Sequence, residues 1–300
     1  MNSSRTDFYR EIRNNNFKTF FLFFFFIGFV ILIGVALRFV FPEFGYGILF
    51  FAGFFAIIYA LVGYFAGDKI VLSTSRAKPI NPDKDPKHKY LDNLVEGLSM
   101  AAGVPKPKVY IIPDKSPNAF ATGRNPEKSS LAVTSGLLEI LNREELEGVV
   151  AHELAHIKNR DIKVMTIATV LFGLVMMVSD IALRGLIFGG ARSSENRSPV
   201  LLIIAIIFII LSPIIAAMIQ MSISRKREYL ADATGAKLTR YPRGLANALR
   251  KISGTNIPVS GASRGTAHLY IANPFRGRSV SKMFSTHPPI EERIKRLENM

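Results

Sequence analysis

Residues 20–41 form an almost wholly apolar run, crowded with Phe and carrying one charge, Arg38, near its far end. A helix of about 20 such residues crosses a hydrocarbon layer of about 30 Å, and a long side chain at its end can snorkel to the interface. The run is too long for a signal-peptide core and lacks a small-residue cleavage site, so it reads as a retained anchor. Pro42-Glu43 is a short break, and residues 44–66 follow without a charge. Two further runs lie at 164–188 and 199–221. The third contains Asp180 and Arg184, four residues apart, which can pair with each other near an interface or line a polar cavity. The fourth has no charge, and its Pro213 can kink it. These runs predict a helical integral membrane protein with four transmembrane helices. The chain divides into an N-terminal tail and hairpin (1–66), a soluble part (67–163), a second hairpin (164–221) and a second soluble part (222–300).

Charge sets the orientation. Lys and Arg number 38 against 23 Asp and Glu, a net charge of +15. They gather beside the apolar runs: Arg5, Arg10, Arg13 and Lys18 before the first, Lys69, Arg76 and Lys78 after the second, Arg225, Lys226 and Arg227 after the fourth. The positive-inside rule then puts both termini and both soluble parts in the cytoplasm of a multi-pass protein of the inner or plasma membrane. Arg192 and Arg197, between the third and fourth runs, count slightly the other way. This placement accounts for the basic total without a nucleic-acid partner. The chain has no Cys, which excludes a disulfide framework and every Cys-ligated metal site.

The soluble parts read as α+β, mainly α. Residues 81–89 are a Pro-, Asp- and Lys-rich linker, and Leu91, Leu94, Val95 and Leu98 have helical spacing. Short runs at 109–112, 118–122 and 130–134 predict strands of a small antiparallel sheet. Asn142 with Glu145 three residues on has the form of a capping box. Nothing in the sequence breaks the helix it opens before Lys163, so that helix is expected to run directly into the third span. Pro242 opens a helix to Ile252, and Pro288-Pro289 opens a last one with Ile290, Ile294 and Leu297 on one face.

Within the capped helix lies His152-Glu153-Leu154-Ala155-His156. Positions i and i+4 share a helix face, so both imidazoles can reach one metal ion while Glu153 reaches a water on it. Histidine is scarce, five in 300, which makes a chance match uncommon. A catalytic zinc needs a third protein ligand. Glu228 is the best candidate, because an antiparallel hairpin of spans three and four returns it to the face where His152 and His156 emerge. A solvated acid in a basic run is its bland alternative. Asp232, four residues on, can accept a hydrogen bond from the far nitrogen of a ligating histidine. Glu153 then serves as general base and His287 as first choice for the group that stabilises the oxyanion. His88, in a Lys-rich linker, and His268, in a loop, read as histidines without a catalytic part.

These residues, with Asn118-Ala119-Phe120-Ala121-Thr122-Gly123, Arg227-Glu228-Tyr229-Leu230-Ala231-Asp232 and Phe284-Ser285-Thr286-His287-Pro288-Pro289, resemble the HtpX family of membrane-bound zinc endopeptidases, which is related to the CAAX prenyl proteases. The resemblance covers nearly the whole chain, with no departure at the metal site. It implies one Zn2+ held by His152, His156 and Glu228, catalysis by Glu153, and a gluzincin-like, zincin-type domain facing the cytosol. It also implies quality control of damaged or misfolded membrane proteins, and an edge strand at Asn118, Ala119, Phe120 and Ala121 on which a substrate docks in extended form. The rival readings are a metal-stabilised membrane scaffold or holdase without catalysis, and a metal transporter. The scaffold has no need of Glu153; the transporter needs ionisable residues deep in spans that have almost none.

Overall fold

The computed structural model describes residues 3–40, 43, 45–189, 225–262, 265–275 and 288–300, with backbone alone at 3–12, 36–37, 39–40 and 176–189. In chain order the elements are α1 (Ser3–Val40), α2 (Gly47–Thr74), β1 (Lys78–Pro79), α3 (Pro86–Ala102), β2 (Lys108–Ile112), β3 (Ala119–Gly123), β4 (Ser129–Thr134), α4 (Ser135–Ile140), α5 (Arg143–Lys158), α6 (Asp161–Gly189), α7 (Arg225–Thr239), α8 (Pro242–Gly254) and α9 (Ile290–Glu298). The fourth expected span, the loop before it and His287 lie outside the described residues, as do the side chains of Asp180 and Arg184.

Among the described residues two helices are long and apolar enough to cross a membrane, Arg13–Val35 within α1 and Gly47–Thr74. Phe20, Phe24, Phe50, Phe51 and Phe54 are exposed on them, Phe50 to 72 %. Such surface is costly in water and inexpensive in lipid, at about 25 cal/mol per Å2. Their inner faces pack on the start of α6, where Leu22, Phe26 and Ala56 meet Val164, Ala168, Leu171 and Phe172. The helix that takes in the third expected span is therefore sheathed by the first two.

The sheet is mixed, where the sequence predicted an antiparallel one. Its order is β1-β2-β4-β3. A wholly antiparallel sheet of this kind is most simply built from consecutive strands as neighbours. Instead residues 113–118 carry the chain past β2 to the edge, and β4 returns between β2 and β3, parallel to the first and antiparallel to the second. The Asp114 carboxylate pins this crossing by accepting from Ser116 N–H and Ser260 N–H, 2.8 Å each.

The capped helix also departs from expectation. It begins as predicted: the Asn142 side chain accepts from Glu145 N–H and the Glu145 carboxylate accepts from Asn142 N–H, 2.9 Å each. It does not run into the membrane. Arg160 sits at φ 59°, a left-handed conformation that ends α5, and α6 starts afresh at Asp161. This corner turns α5 out of line with α6 and into the centre of the soluble part. There Leu146, Val149, Val150, Leu154 and Ile157 are buried among α3, β3, α7 and α8.

A glycine sets one of these contacts. A Cβ on Gly148 would lie 2.6 Å from Leu245 N and 2.8 Å from Leu245 Cα, so α5 and α8 touch backbone to backbone there. Gly148→Ala should lower the unfolding free energy by about 1–3 kcal/mol, as overpacking does. Gly97→Ala in α3, where a new methyl meets nothing within 4 Å, should be neutral or stabilising by up to about 1 kcal/mol. Thermal melts of the purified protein in detergent compare the two.

Candidate metal centre

α5 lies with its second and third turns against α7. Gly235 of α7 permits the approach, since a Cβ there would sit 3.1 Å from His152 N and 3.3 Å from Ala151 C. Asp232 and Glu228, one and two turns earlier on α7, thereby face the two histidines of α5. His152 Nε2 and His156 Nε2 are 3.2 Å apart. Glu228 Oε1 is 3.5 Å from His156 Nε2, and Oε2 is 3.8 Å from His152 Nε2. The three side chains are buried, and their potential ligand atoms all lie within 4.8 Å of one another.

Carboxylates flank both rings on their far sides. His152 Nδ1 lies 3.0 Å from Asp232 Oδ1, and His156 Nδ1 lies 3.1 Å from Asp161 Oδ2. With each Nδ1 carrying a proton toward its carboxylate, both Nε2 atoms are acceptors turned toward Glu228. Three acceptors converging on one point is a donor set that a cation completes. Two ligands of a tetrahedral ion with bonds of about 2.0–2.1 Å stand about 3.3 Å apart, close to the Nε2 separation. Charge agrees with geometry. Glu153, Asp161, Glu228 and Asp232 set four buried carboxylates against the guanidiniums of Arg227 and Arg293. In the state ready to bind metal, with neutral imidazoles and all four carboxylates ionised, two negative charges are left over, which a divalent cation neutralises.

Electrostatics in the cluster reflect that imbalance. Burial, helped by the charge of Glu228, pushes the Glu153 carboxyl up to about 7, although His156, a hydrogen bond from the Ala121 backbone and Arg293 pull the other way. Burial also works against charging His156, but Asp161, Glu228 and Glu153 outweigh it and raise the ring to about 9. For His152 burial prevails over Asp232, and the pKa falls. Asp232 is buried too, yet Arg293 and His152 hold its carboxyl down to about 2.

Sequence reasoning missed Arg293, the largest fully buried side chain among the described residues. It donates from Nε to Asp232 Oδ2 at 2.9 Å and from Nη2 to Oδ1 at 2.7 Å, and its Nη1 donates to Ile271 O at 3.0 Å. Nη1 also stands 3.6 Å from Glu228 Oε2. One guanidinium thus fixes the carboxylate that flanks His152 and neighbours the Glu228 carboxylate. The available signal was positional, for Arg293 lies on the same face of the last helix as Ile290, Ile294 and Leu297. Asp161 and Arg227 were missed as well. Their pattern, an acid at a helix start and a base in a basic run, is ordinary.

The structure brings His152, Glu153, His156, Glu228 and Asp232 together. Ala119, Phe120 and Ala121 lie on β3, which is the sheet edge, with Asn118 just before it. That edge is already in use: Ile271 N–H donates to Ala119 O at 3.0 Å, and Asn118 Nδ2 donates to Ala272 O at 2.9 Å. His268 is buried against α6, its Nε2 3.2 Å from both Thr169 Oγ1 and Met165 O. His88 lies in α3, where its Nδ1 accepts from Asn81 N–H at 3.3 Å.

Residues 85–300 match peptidase family M48. The "Protease HtpX homolog" of Dictyoglomus turgidum is 46 % identical over 295 residues, covering 98 % of this chain and 95 % of the relative. That of Lactobacillus acidophilus is 45 % identical over 300 residues, covering 97 % and 99 %. Among solved structures, a crystal structure of S. mikatae Ste24p shares the fold with a TM-score of 0.51 at 21 % identity, over 88 % of this chain and 62 % of that one. This chain therefore spans about three fifths of Ste24p.

Arg293→Lys keeps a charge but loses the fork that grips Asp232. Metal affinity, measured by competition with a chromophoric chelator, should fall about 10–100-fold. Arg293→Ala should in addition destabilise the fold by about 3–5 kcal/mol, because Asp232 is left buried and uncompensated.

Proposed function

Because this chain belongs to peptidase family M48 and is a membrane metalloprotease, we propose that its metal is zinc, one ion per subunit, and that it cuts damaged or misfolded membrane proteins at the cytoplasmic face. The observation that carries the reading is the convergence of His152 Nε2, His156 Nε2 and the Glu228 carboxylate beside a buried Glu153. Bound there, zinc supplies the Lewis acidity that makes water nucleophilic near neutral pH and polarises a peptide carbonyl.

The chain's own residues do the rest. Glu153, one residue from His152 and hydrogen-bonded by the Ala121 backbone, takes a proton from the attacking water and returns it to the leaving amine. Asp232 and Asp161 hold the His152 and His156 rings with Nδ1 protonated, so that Nε2 is the ligand atom. His287 supplies a donor to the oxyanion. The edge strand from Asn118 to Ala121 receives the substrate backbone, a mode that reads main chain and suits broad specificity. An incoming strand competes with Ile271 for the Ala119 carbonyl.

The membrane assignment draws support from the corner at Arg160. α5 ends there and α6 begins, so the metal site lies immediately below the apolar helix that α1 and α2 sheathe. Basic residues flanking the apolar runs favour a cytoplasmic site and cytoplasmic termini.

Glu153→Gln should keep its zinc and cleave unfolded casein at least about 100-fold more slowly, while Glu228→Gln should lose the metal. Full activity in a zinc-loaded Glu153→Gln protein overturns Glu153 as the general base, and no cleavage by the zinc-loaded parent favours a scaffold. His287→Ala should lower turnover at least about tenfold; a smaller effect assigns the oxyanion to another donor. The natural absence of Cys makes sidedness easy to read. Single cysteines at Ser3 and Asn299 should both react with an impermeant maleimide only when the cytoplasmic face is open.

A further inference from the structure

Asn15 lies in α1 one turn before Thr19 and the apolar run, yet it is 1 % exposed. A buried amide costs stability unless its donors and acceptor are used. Asn15 uses both ends. Its Nδ2 donates to Asp161 Oδ1 at 3.0 Å and to Asn159 O at 3.3 Å. Its Oδ1 accepts from Arg227 Nη1 at 3.3 Å, and the same Nη1 lies 3.5 Å from Asp161 Oδ1. Thus α1 and α7 both hold the Oδ1 side of the Asp161 carboxylate. Its other oxygen, Oδ2, is the one 3.1 Å from His156 Nδ1.

Asp161 is the first residue of α6, beyond the left-handed turn at Arg160. A carboxylate there has no reason of its own to face back toward α5. The grip on Oδ1 fixes its rotation, and that rotation fixes the direction in which the His156 ring presents Nε2. We propose that Asn15 is a positioning residue for the metal centre: through Asp161 it holds His156 in its ligating orientation, so that the first membrane helix is part of the support of the site as well as an anchor. A carboxylate that orients a ligating histidine typically governs metal affinity by 10–100-fold, and Asn15 acts one bond further out. The inference rests on His156 being a metal ligand.

Asn16 provides the control. It is the next residue on α1 and also contacts the corner, but from the exposed side, accepting from Lys163 Nζ at 2.9 Å with no link to Asp161. Loosening α1 in general affects both positions; loosening Asp161 affects Asn15 alone.

The test uses full-length protein in detergent, loaded with zinc, and follows metal release into a chromophoric chelator alongside kcat and KM on an unfolded substrate. Asn15→Ala should release zinc about tenfold faster than the parent, with lower kcat, nearly unchanged KM, and recovery of kcat in excess zinc. Asn16→Ala should behave as the parent does. Release at the parental rate from Asn15→Ala overturns the proposal, and so does equally fast release from Asn16→Ala. Should Asn15→Ala not fold, as judged by circular dichroism and gel filtration, Asn15→Asp decides. It keeps the shape and the acceptor for Arg227 and loses the donor to Asp161, so fast release supports the proposal and parental release refutes it. His156→Ala separates the two levels. If it too retains zinc as the parent does, the metal-centre reading itself fails; if it alone loses zinc, only the role of Asn15 fails.

Discussion

Everything in this fold answers to the cost of keeping charge away from water. Eight ionisable side chains, His152, Glu153, His156, Asp161, Arg227, Glu228, Asp232 and Arg293, are buried together where α5, α6, α7 and α9 meet. An isolated carboxylate or guanidinium in such a place costs several kcal/mol even after relaxation. Each must be paired, and the pairs must be held in register by elements from distant parts of the sequence. α9, nine residues at the C-terminus, delivers Arg293. α7 delivers Glu228, Asp232 and Arg227 on one helix, and the corner at Arg160 delivers Asp161. The two negative charges left after pairing make the cluster a cation site by charge as well as by geometry.

Close helix contact is the second requirement, and small residues meet it. Ligand atoms between 3 and 4 Å apart demand that α5 and α7 approach almost backbone to backbone. Gly235 allows this beside His152, and Gly148 allows the same against α8 one turn earlier on α5. Ala151, Ala155 and Ala231 are buried around them. The metal helix is therefore gripped along its length, which keeps the histidines from adapting to whatever approaches. Such preorganisation is what a hydrolytic site requires, because donors that need no rearrangement stabilise charge as it develops.

Much of this was legible in the sequence, and the parts that were not share a cause. The spacing of His152 and His156, the cap at Asn142, the apolar runs and the amphipathic last helix are local patterns with periods of a few residues. Strand positions were legible for the same reason. Strand neighbours were not, because the crossing at 113–118 depends on Asp114 reaching Ser260, far along the chain. The break at Arg160 was invisible because a left-handed Arg has no sequence signature of the kind that Gly or Asn carries. Arg293 and Asn15 were passed over because each looks like a solvated polar residue until the partner elements are in place. Arg293 sat among the apolar positions of an amphipathic helix, and that misfit was the one trace it left.

The same reasoning explains why a membrane helix belongs to the site. Asp161 stands at the corner where α5 gives way to α6, the helix that α1 and α2 sheathe, so its environment is shared between the soluble part and those two candidate spans. If the two parts were joined only by covalent connection, Asp161 would face solvent at a flexible corner and give His156 a loose partner. Burying it requires a lid of polar groups that arrives from the membrane side. α1 supplies that lid with Asn15 one turn below its apolar run, and α7 supplies Arg227 at its own start. The Asn15 amide comes from the end of a candidate membrane span, where a helix leaving lipid can present polar groups into protein without exposing them to hydrocarbon. Metal geometry and membrane packing are then coupled through one carboxylate, and a change in either is transmitted to the other.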